Sequence, residues 1–228
     1  VSDEPRVRVA VAEIQVGVYR AFVVQGASPG EARVAADAAA LAEIATGDGV
    51  ALAAADLLRV PREAVGVVVE GGAPPRLVDP RRRALLLQLP IALAWLGARP
   101  DRGALAVPHE RCPLAVGGIL LRAGSPGVPV AAVGVIGGAP VGGVAVDEQG
   151  ALLELAGDGG LLEPGEAGAV GEGLVLRRVP PGIAGFSRVD AAELELRRRS
   201  VGVDGLMVDA EAWRAVDALA KRHLVPEG

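Results

Sequence analysis

The 228-residue sequence has no asparagine, one cysteine (Cys112), one lysine (Lys221), one threonine (Thr46), one tyrosine (Tyr19) and two histidines (His109 and His223). Each scarcity excludes something. A lone cysteine rules out an internal disulfide framework and suits a reducing compartment. Two histidines and one cysteine fall short of the roughly four ligands of a structural zinc site. The single lysine lies near the C-terminus, so no GxxxxGK[ST] phosphate loop can form, and no GxGxxG follows a strand. No GxSxG elbow is present, which argues against a serine hydrolase of the α/β type. Aromatic residues make up only 2% of the chain, so Val, Leu and Ala must fill the core. Basic charge is also in deficit. A net charge of −5 lacks the footprint of a nucleic-acid binder. Arg81-Arg82-Arg83 and Arg197-Arg198-Arg199 read as solvated faces.

Long lipid-facing runs are missing too. Ala123 to Val146 is uncharged, but its repeated glycines, with Pro129 and Pro140, would break a membrane helix. Buried strands joined by a glycine turn explain it better. The acidic opening Ser2-Asp3-Glu4-Pro5 does not resemble a secretory signal. A soluble, cytoplasmic protein is expected, with no membrane or nucleic-acid partner.

What is present reads as helices first. Arg8 to Gln25 is an apolar-rich helical segment stopped by Gly26. Ser28-Pro29-Gly30-Glu31 carries a helix start: Ser28 as cap, Pro29 at the first position, Glu31 closing a capping box. That helix runs to about Ala45, and Asp48 is the expected cap of a third helix from Val50 to Arg59. From Pro61 the texture changes. Strands are predicted over Ala64–Glu70, Arg76–Asp79, Gly103–Val107, Val128–Ile136, Val141–Val146, Ala151–Leu155 and Leu174–Arg178. Pro90 either starts a helix or kinks one covering Ala84 to Ala98, and Cys112 to Arg122 is a further helix. Gly157 to Gly173 reads as a long loop, and Glu193 to Leu196 as an edge strand or a helix capped by Asp190. Asp209 caps a closing helix, Ala210 to His223, with Trp213, Val216, Leu219 and Ala220 on one face.

The expected fold is α/β: an N-terminal helical hairpin packed on a mixed β-sheet with a few covering helices. Residues 1–60 would form a helical lobe and residues 61–228 an α/β body, or the two would make one compact domain. The chemistry concentrates in Pro108-His109-Glu110-Arg111-Cys112-Pro113. His109 follows a strand and precedes a helix, the rim at which α/β sheets bind ligands. Imidazole titrates near neutral pH and can accept and return a proton. Arg111 suits an anionic group of a small-molecule ligand, while Glu110 and Cys112 would support the site. The structural alternative is a histidine that only bonds a nearby carbonyl.

Two family resemblances rest on these segments. Arg76-Leu77-Val78-Asp79, then Ala104 to His109, Leu114 to Leu121 and Val128 to Ile136, resemble in order and spacing the malate/L-lactate dehydrogenase superfamily that includes sulfolactate and ureidoglycolate dehydrogenases. That resemblance implies an oxidoreductase-like fold, puts His109 on the family's acid–base histidine, and makes NAD(P) the candidate cofactor. The family's D-S-H-G motif falls on Gly47-Asp48-Gly49-Val50, which has neither Ser nor His. This departure supports a rival reading, a non-catalytic ligand-binding or oligomeric partner protein that kept an enzyme fold. Glu13-Ile14 to Leu41, Cys112-Pro113 to Gly118, and Trp213 to Pro226 are similar to a bacterial family of about 200 residues known only as a domain of unknown function. Either reading fits a homo-oligomer.

Overall fold

The computed structural model describes residues 5–60, 68–78, 84–99, 101–107, 115–123, 129–180, 183 and 185–223. Eight helices and ten strands lie within them, in the order β1 (Arg6–Val9), α1 (Val11–Val24), α2 (Pro29–Thr46), α3 (Gly49–Leu57), β2 (Val68–Glu70), β3 (Arg76–Val78), α4 (Leu85–Ala98), β4 (Ala104–Val107), α5 (Val116–Ala123), β5 (Val130–Ile136), β6 (Ala139–Val146), β7 (Leu152–Leu155), α6 (Glu166–Val170), β8 (Gly173–Arg178), β9 (Phe186–Val189), α7 (Ala191–Asp204), β10 (Leu206–Asp209) and α8 (Ala210–Arg222). The fold is the expected α/β one. Its main sheet has the strand order β2-β3-β4-β8-β5-β6-β7-β9.

β3 pairs parallel with β4, and the other pairings in this sheet are antiparallel. β4 and β5 both run antiparallel to β8, which lies between them, so they are parallel to each other without touching. The expected β-loop-α-β unit around the histidine segment is therefore split by an inserted strand. The neighbouring β3-α4-β4 unit is an ordinary parallel crossover.

Alternation along the strands gives the sheet two faces of different texture. Leu105, Val107, Leu174, Leu176, Val144 and Leu152 join the large core cluster shared with the helices. The opposite face carries Ala104, Ala131, Val133, Ala145, Leu153 and Leu155, against which the segment after β7 packs. α4 and α5 lie on the helical face, α2 crosses over both, and α1, α3 and α8 pack outside it. α2 can sit at the centre because its buried positions are almost all alanine. α5 approaches it so closely that a Cβ on Gly118 would lie 2.4 Å from the Ala42 Cα.

Several expectations are corrected. Arg6–Val9 is a strand, paired with β10, so α1 starts at Val11 rather than Arg8. Two open choices are settled: Pro90 lies inside one helix that begins at Leu85, and Glu193 to Leu196 is helical, capped by Asp190, with Glu193–Arg197 and Glu195–Arg199 ion pairs at i,i+4 explaining the alternating acids. The segment from Gly157 to Gly173 contains α6. The Ser28/Glu31 capping box forms as expected, with the Glu31 amide donating to Ser28 Oγ at 3.3 Å and the Ser28 amide donating to Glu31 Oε2 at 3.0 Å.

Candidate functional site

His109, Glu110, Arg111 and Cys112 lie outside the described residues, but both ends of their segment are fixed. Val107 ends β4 and Ala115 precedes α5, and both are fully or almost fully buried. β3, β4 and β5 share one direction, so their carboxyl ends (Val78, Val107 and Ile136) reach the same edge of the sheet. α4 returns across the sheet. Its far end is held at the opposite edge, where the Arg178 guanidinium donates to the carbonyls of Leu96 (2.9 Å) and Gly97 (3.0 Å). The amino end of α4 therefore belongs to the same edge as the strand carboxyl ends, and segment 108–114 leaves β4 there. Such an edge is where open α/β sheets bind ligands.

The helix amino ends decide the electrostatics. Each exposes N–H groups and a partial positive charge that an anion can satisfy. In most of the described helices the chain fills this position itself. Glu13 accepts from the Ala10 amide before α1, Asp190 Oδ1 from Glu193 N on α7, and Asp209 Oδ1 from Ala212 N on α8. Two further caps come from a different helix. Asp56 of α3 accepts the Leu86 amide of α4 at 2.7 Å, where the local cap residue Ala84 has no acceptor. Glu43 of α2 accepts the Val50 amide of α3 at 2.8 Å. Asp48, the expected cap of α3, occupies the capping position, but its side chain makes no capping bond.

Both remote caps are buried, Asp56 at 2% and Glu43 at 3% exposure. Burial pushes the Asp56 carboxyl up to about 6, against the opposing pull of the Leu86 and Leu85 amides and of Arg59. Burial also raises Glu43, assisted by the nearby Asp48 charge and opposed by the Val50 and Gly49 amides and Arg6. Sequence reasoning missed both residues. The available signal was a lone acid in an apolar helical run, as in Ala53-Ala54-Ala55-Asp56-Leu57-Leu58.

Among the described residues, no side chain caps α5. Its first turn contains Gly117 and Gly118, and a Cβ on Gly117 would lie 2.5 Å from Leu152 Cδ1. The helix is pressed between the sheet and α2, and its first turn lies over Leu152, in the row Leu152–Val146–Val130–Arg178 at the opposite edge. The Gly137-Gly138 turn between β5 and β6 lies at the edge of the strand carboxyl ends. Both of its glycines have positive φ, and the Gly138 amide donates to Gly171 O at 2.8 Å. It is the tight hairpin expected from its two glycines.

The segment after β7 covers the face of the sheet opposite the helices through Leu161, Leu162, Ala167 and Val170. Arg177 Nη2 of β8 holds it by donating to both oxygens of the nearly buried Glu166 at 2.7 Å. The Arg76 guanidinium donates to Ala169 O. These bonds make it a fixed cover that reaches the candidate edge at Gly171–Gly173. Two open grooves lie elsewhere, one of about 450 Å³ between α1 and α8 and one of about 510 Å³ lined by residues of α1, α2, α5 and α7. Among the described residues, no group of three or more His, Cys, Asp or Glu side chains could hold a metal ion, and no helix is long and apolar enough to cross a membrane.

No family model matches the chain, and neither does any curated protein sequence. Solved structures do. The chain is similar to malate dehydrogenase from Entamoeba histolytica (TM-score 0.62, 9% identity, covering 97% of this chain and 99% of that one). It is similar to a dehydrogenase from Sinorhizobium meliloti (TM-score 0.61, 11% identity, 95% and 100%). A third is delta1-piperideine-2-carboxylate reductase from Pseudomonas syringae (TM-score 0.55, 16% identity, 93% and 99%). These identities show a shared fold, the one implied by the dehydrogenase-superfamily resemblance. The resemblance to the uncharacterised bacterial family stands on its short segments alone.

Proposed function

We propose that the chain acts on a small carboxylate or similarly anionic metabolite at the sheet edge where segment 108–114 joins β4 to α5. His109 transfers the proton, Arg111 holds the anionic group, and Glu110 and Cys112 support them. The observation that carries this reading is the common direction of β3, β4 and β5, whose carboxyl ends share the edge at which segment 108–114 leaves β4. The fold shared with dehydrogenases and a reductase supports an oxidoreductase-like activity.

NAD(P) is the redox cofactor this reading names, and it would supply hydride transfer. No step is assigned to it.

A second reading is favoured by the α2–α3 corner. Gly47-Asp48-Gly49-Val50 stands where the dehydrogenase superfamily has D-S-H-G, and here the corner is used for packing. A Cβ on Gly49 would lie 2.0 Å from Ala39 O, and Val50 is fully buried. That arrangement supports a binding protein without turnover.

Thermal-shift and turnover measurements with malate, Δ1-piperideine-2-carboxylate, NADH and NADPH separate the two. A ligand at about a hundred times its Kd adds about 2.7 kcal/mol to stability. Binding of a carboxylate that His109→Ala abolishes at unchanged melting temperature supports the site. Turnover that also disappears makes the protein an enzyme, and binding without turnover makes it the non-catalytic relative. Carboxylate binding that survives His109→Ala and Arg111→Ala would remove the site from this edge.

A further inference from the structure

The groove between α1 and α8 has an apolar floor and a rim charged at both ends. Gly17 makes the floor by letting Trp213 lie against the α1 backbone; a Cβ there would sit 2.8 Å from Trp213 Cη2. Val16 stands beside it, 46% exposed, an apolar side chain facing solvent at the middle of the groove. Glu13 lies one turn before Val16 on α1 and Arg20 one turn after it, and all three line the groove. On the α8 rim, Asp217 and Lys221 neutralise each other at 2.6 Å. Among the described residues, the groove charges without an ion-pair partner are therefore negative at the Glu13 end, where the carboxylate also accepts the Ala10 amide, and positive at the Arg20 end.

This charge order is antisymmetric about Val16–Gly17. A twofold axis through that point would bring Glu13 of one copy against Arg20 of another, twice, with about 10 Å of helix between the two pairs. It would also bury both Val16 side chains in the facing grooves. An unrelated partner would need a matching dipole and a knob at its centre, whereas a second copy supplies both by symmetry. We infer that the α1–α8 groove is the contact between two copies of this chain, with their α1 helices antiparallel about an axis beside Val16. The inference is independent of the proposed activity.

Sedimentation equilibrium of the 228-residue chain tests it. The wild type should form a reversible dimer that weakens as salt is raised. Val16→Glu places two carboxylates at the axis and should weaken dimerisation on the order of 100-fold or more, with the circular dichroism of the folded chain unchanged because Val16 is exposed on each separate copy. Arg20→Glu and Glu13→Arg should each weaken the homodimer. Mixed together they should form a heterodimer tighter than either alone, since both cross pairs are then opposite in charge. A monomeric wild type, an undiminished Val16→Glu dimer, or a mixture no tighter than its components would each overturn the inference. A dimer that appears only when residues 224–228 are removed would assign the groove to the chain's own C-terminus and overturn it as well.

Discussion

Replacing Asp56 by alanine should destabilise the protein by an amount that changes with pH, in a direction opposite to that of an ordinary surface carboxylate. Asp56 accepts the Leu86 amide at 2.7 Å, and the Leu85 amide as well, from a position with 2% exposure. Alanine leaves those two donors in an apolar surrounding, at about 1–3 kcal/mol each before relief of the buried charge is subtracted. That charge is costly. Raising the carboxyl from 3.8 to about 6 corresponds to about 3 kcal/mol. Between those values the folded chain keeps a proton that the unfolded chain has released. The stabilisation is fully present below about pH 4 and is lost as pH rises through 6. The variant has no such group, so its deficit relative to wild type should be about 2 kcal/mol larger at pH 4 than at pH 7. Urea unfolding of both proteins across this range measures the deficit directly, and Glu43, common to both, cancels. A deficit independent of pH would refute the reasoning, and one that grows toward neutral pH would show that the fold stabilises the charged form.

Glu43→Gln keeps an acceptor for the Val50 amide and removes a buried charge, so its stability relative to wild type should improve as pH rises from acid to neutral. The same urea series reads it, and a pH-independent difference would count against the raised carboxyl. Gly118→Ala forces a Cβ to within 2.4 Å of the Ala42 backbone and should cost about 1–3 kcal/mol or more. Gly30→Ala, with open space around it near the start of α2, should be neutral or stabilising by up to about 1 kcal/mol; melting temperatures of the two compare them. Arg177→Gln takes the guanidinium from the nearly buried Glu166 and should open the cover of the sheet. Cleavage within residues 157–172 by a Glu-specific protease should then accelerate by about tenfold or more, and an unchanged rate would show that apolar contacts alone hold the segment.

Elements carrying their own local signal were legible in the sequence. Ser28, Pro29 and Glu31 announce α2, Asp209 announces α8, and the Val-rich runs announce β5 and β6. What escaped was non-local. Arg6–Val9 becomes a strand only because β10, some two hundred residues later, offers it a partner. The alternating acids of α7 fit a strand and an i,i+4 helix equally and left both readings open, and the Asp190 cap and the arginines decide for the helix. Pro90 left a helix start and a single helix open; it costs α4 one backbone bond, outweighed by burial of Leu85, Leu86, Leu87, Leu89, Leu93 and Leu96 around the helix. For the candidate site, the chemistry of residues 109–112 was readable, while the two buried carboxylates were not. A capping rule inspects the residue just before a helix, and Asp56 and Glu43 cap helices to which they do not belong.

The composition explains why those remote carboxylates exist. Good local caps are Ser, Thr, Asn and Asp, yet this chain has no asparagine, one threonine and five serines. Among the described helices, only α2 uses a hydroxyl cap. α7 and α8 use an adjacent aspartate, and α1 uses Glu13. α3 and α4 must draw an acid from a neighbouring helix and bury it, which raises its pKa. The shifted carboxyls therefore follow from helix capping and do not by themselves mark an active site, although perturbed groups often do. The proposed chemistry rests instead on the segment that leaves β4 at the edge shared by the carboxyl ends of β3, β4 and β5, a segment that holds the only cysteine and one of the two histidines.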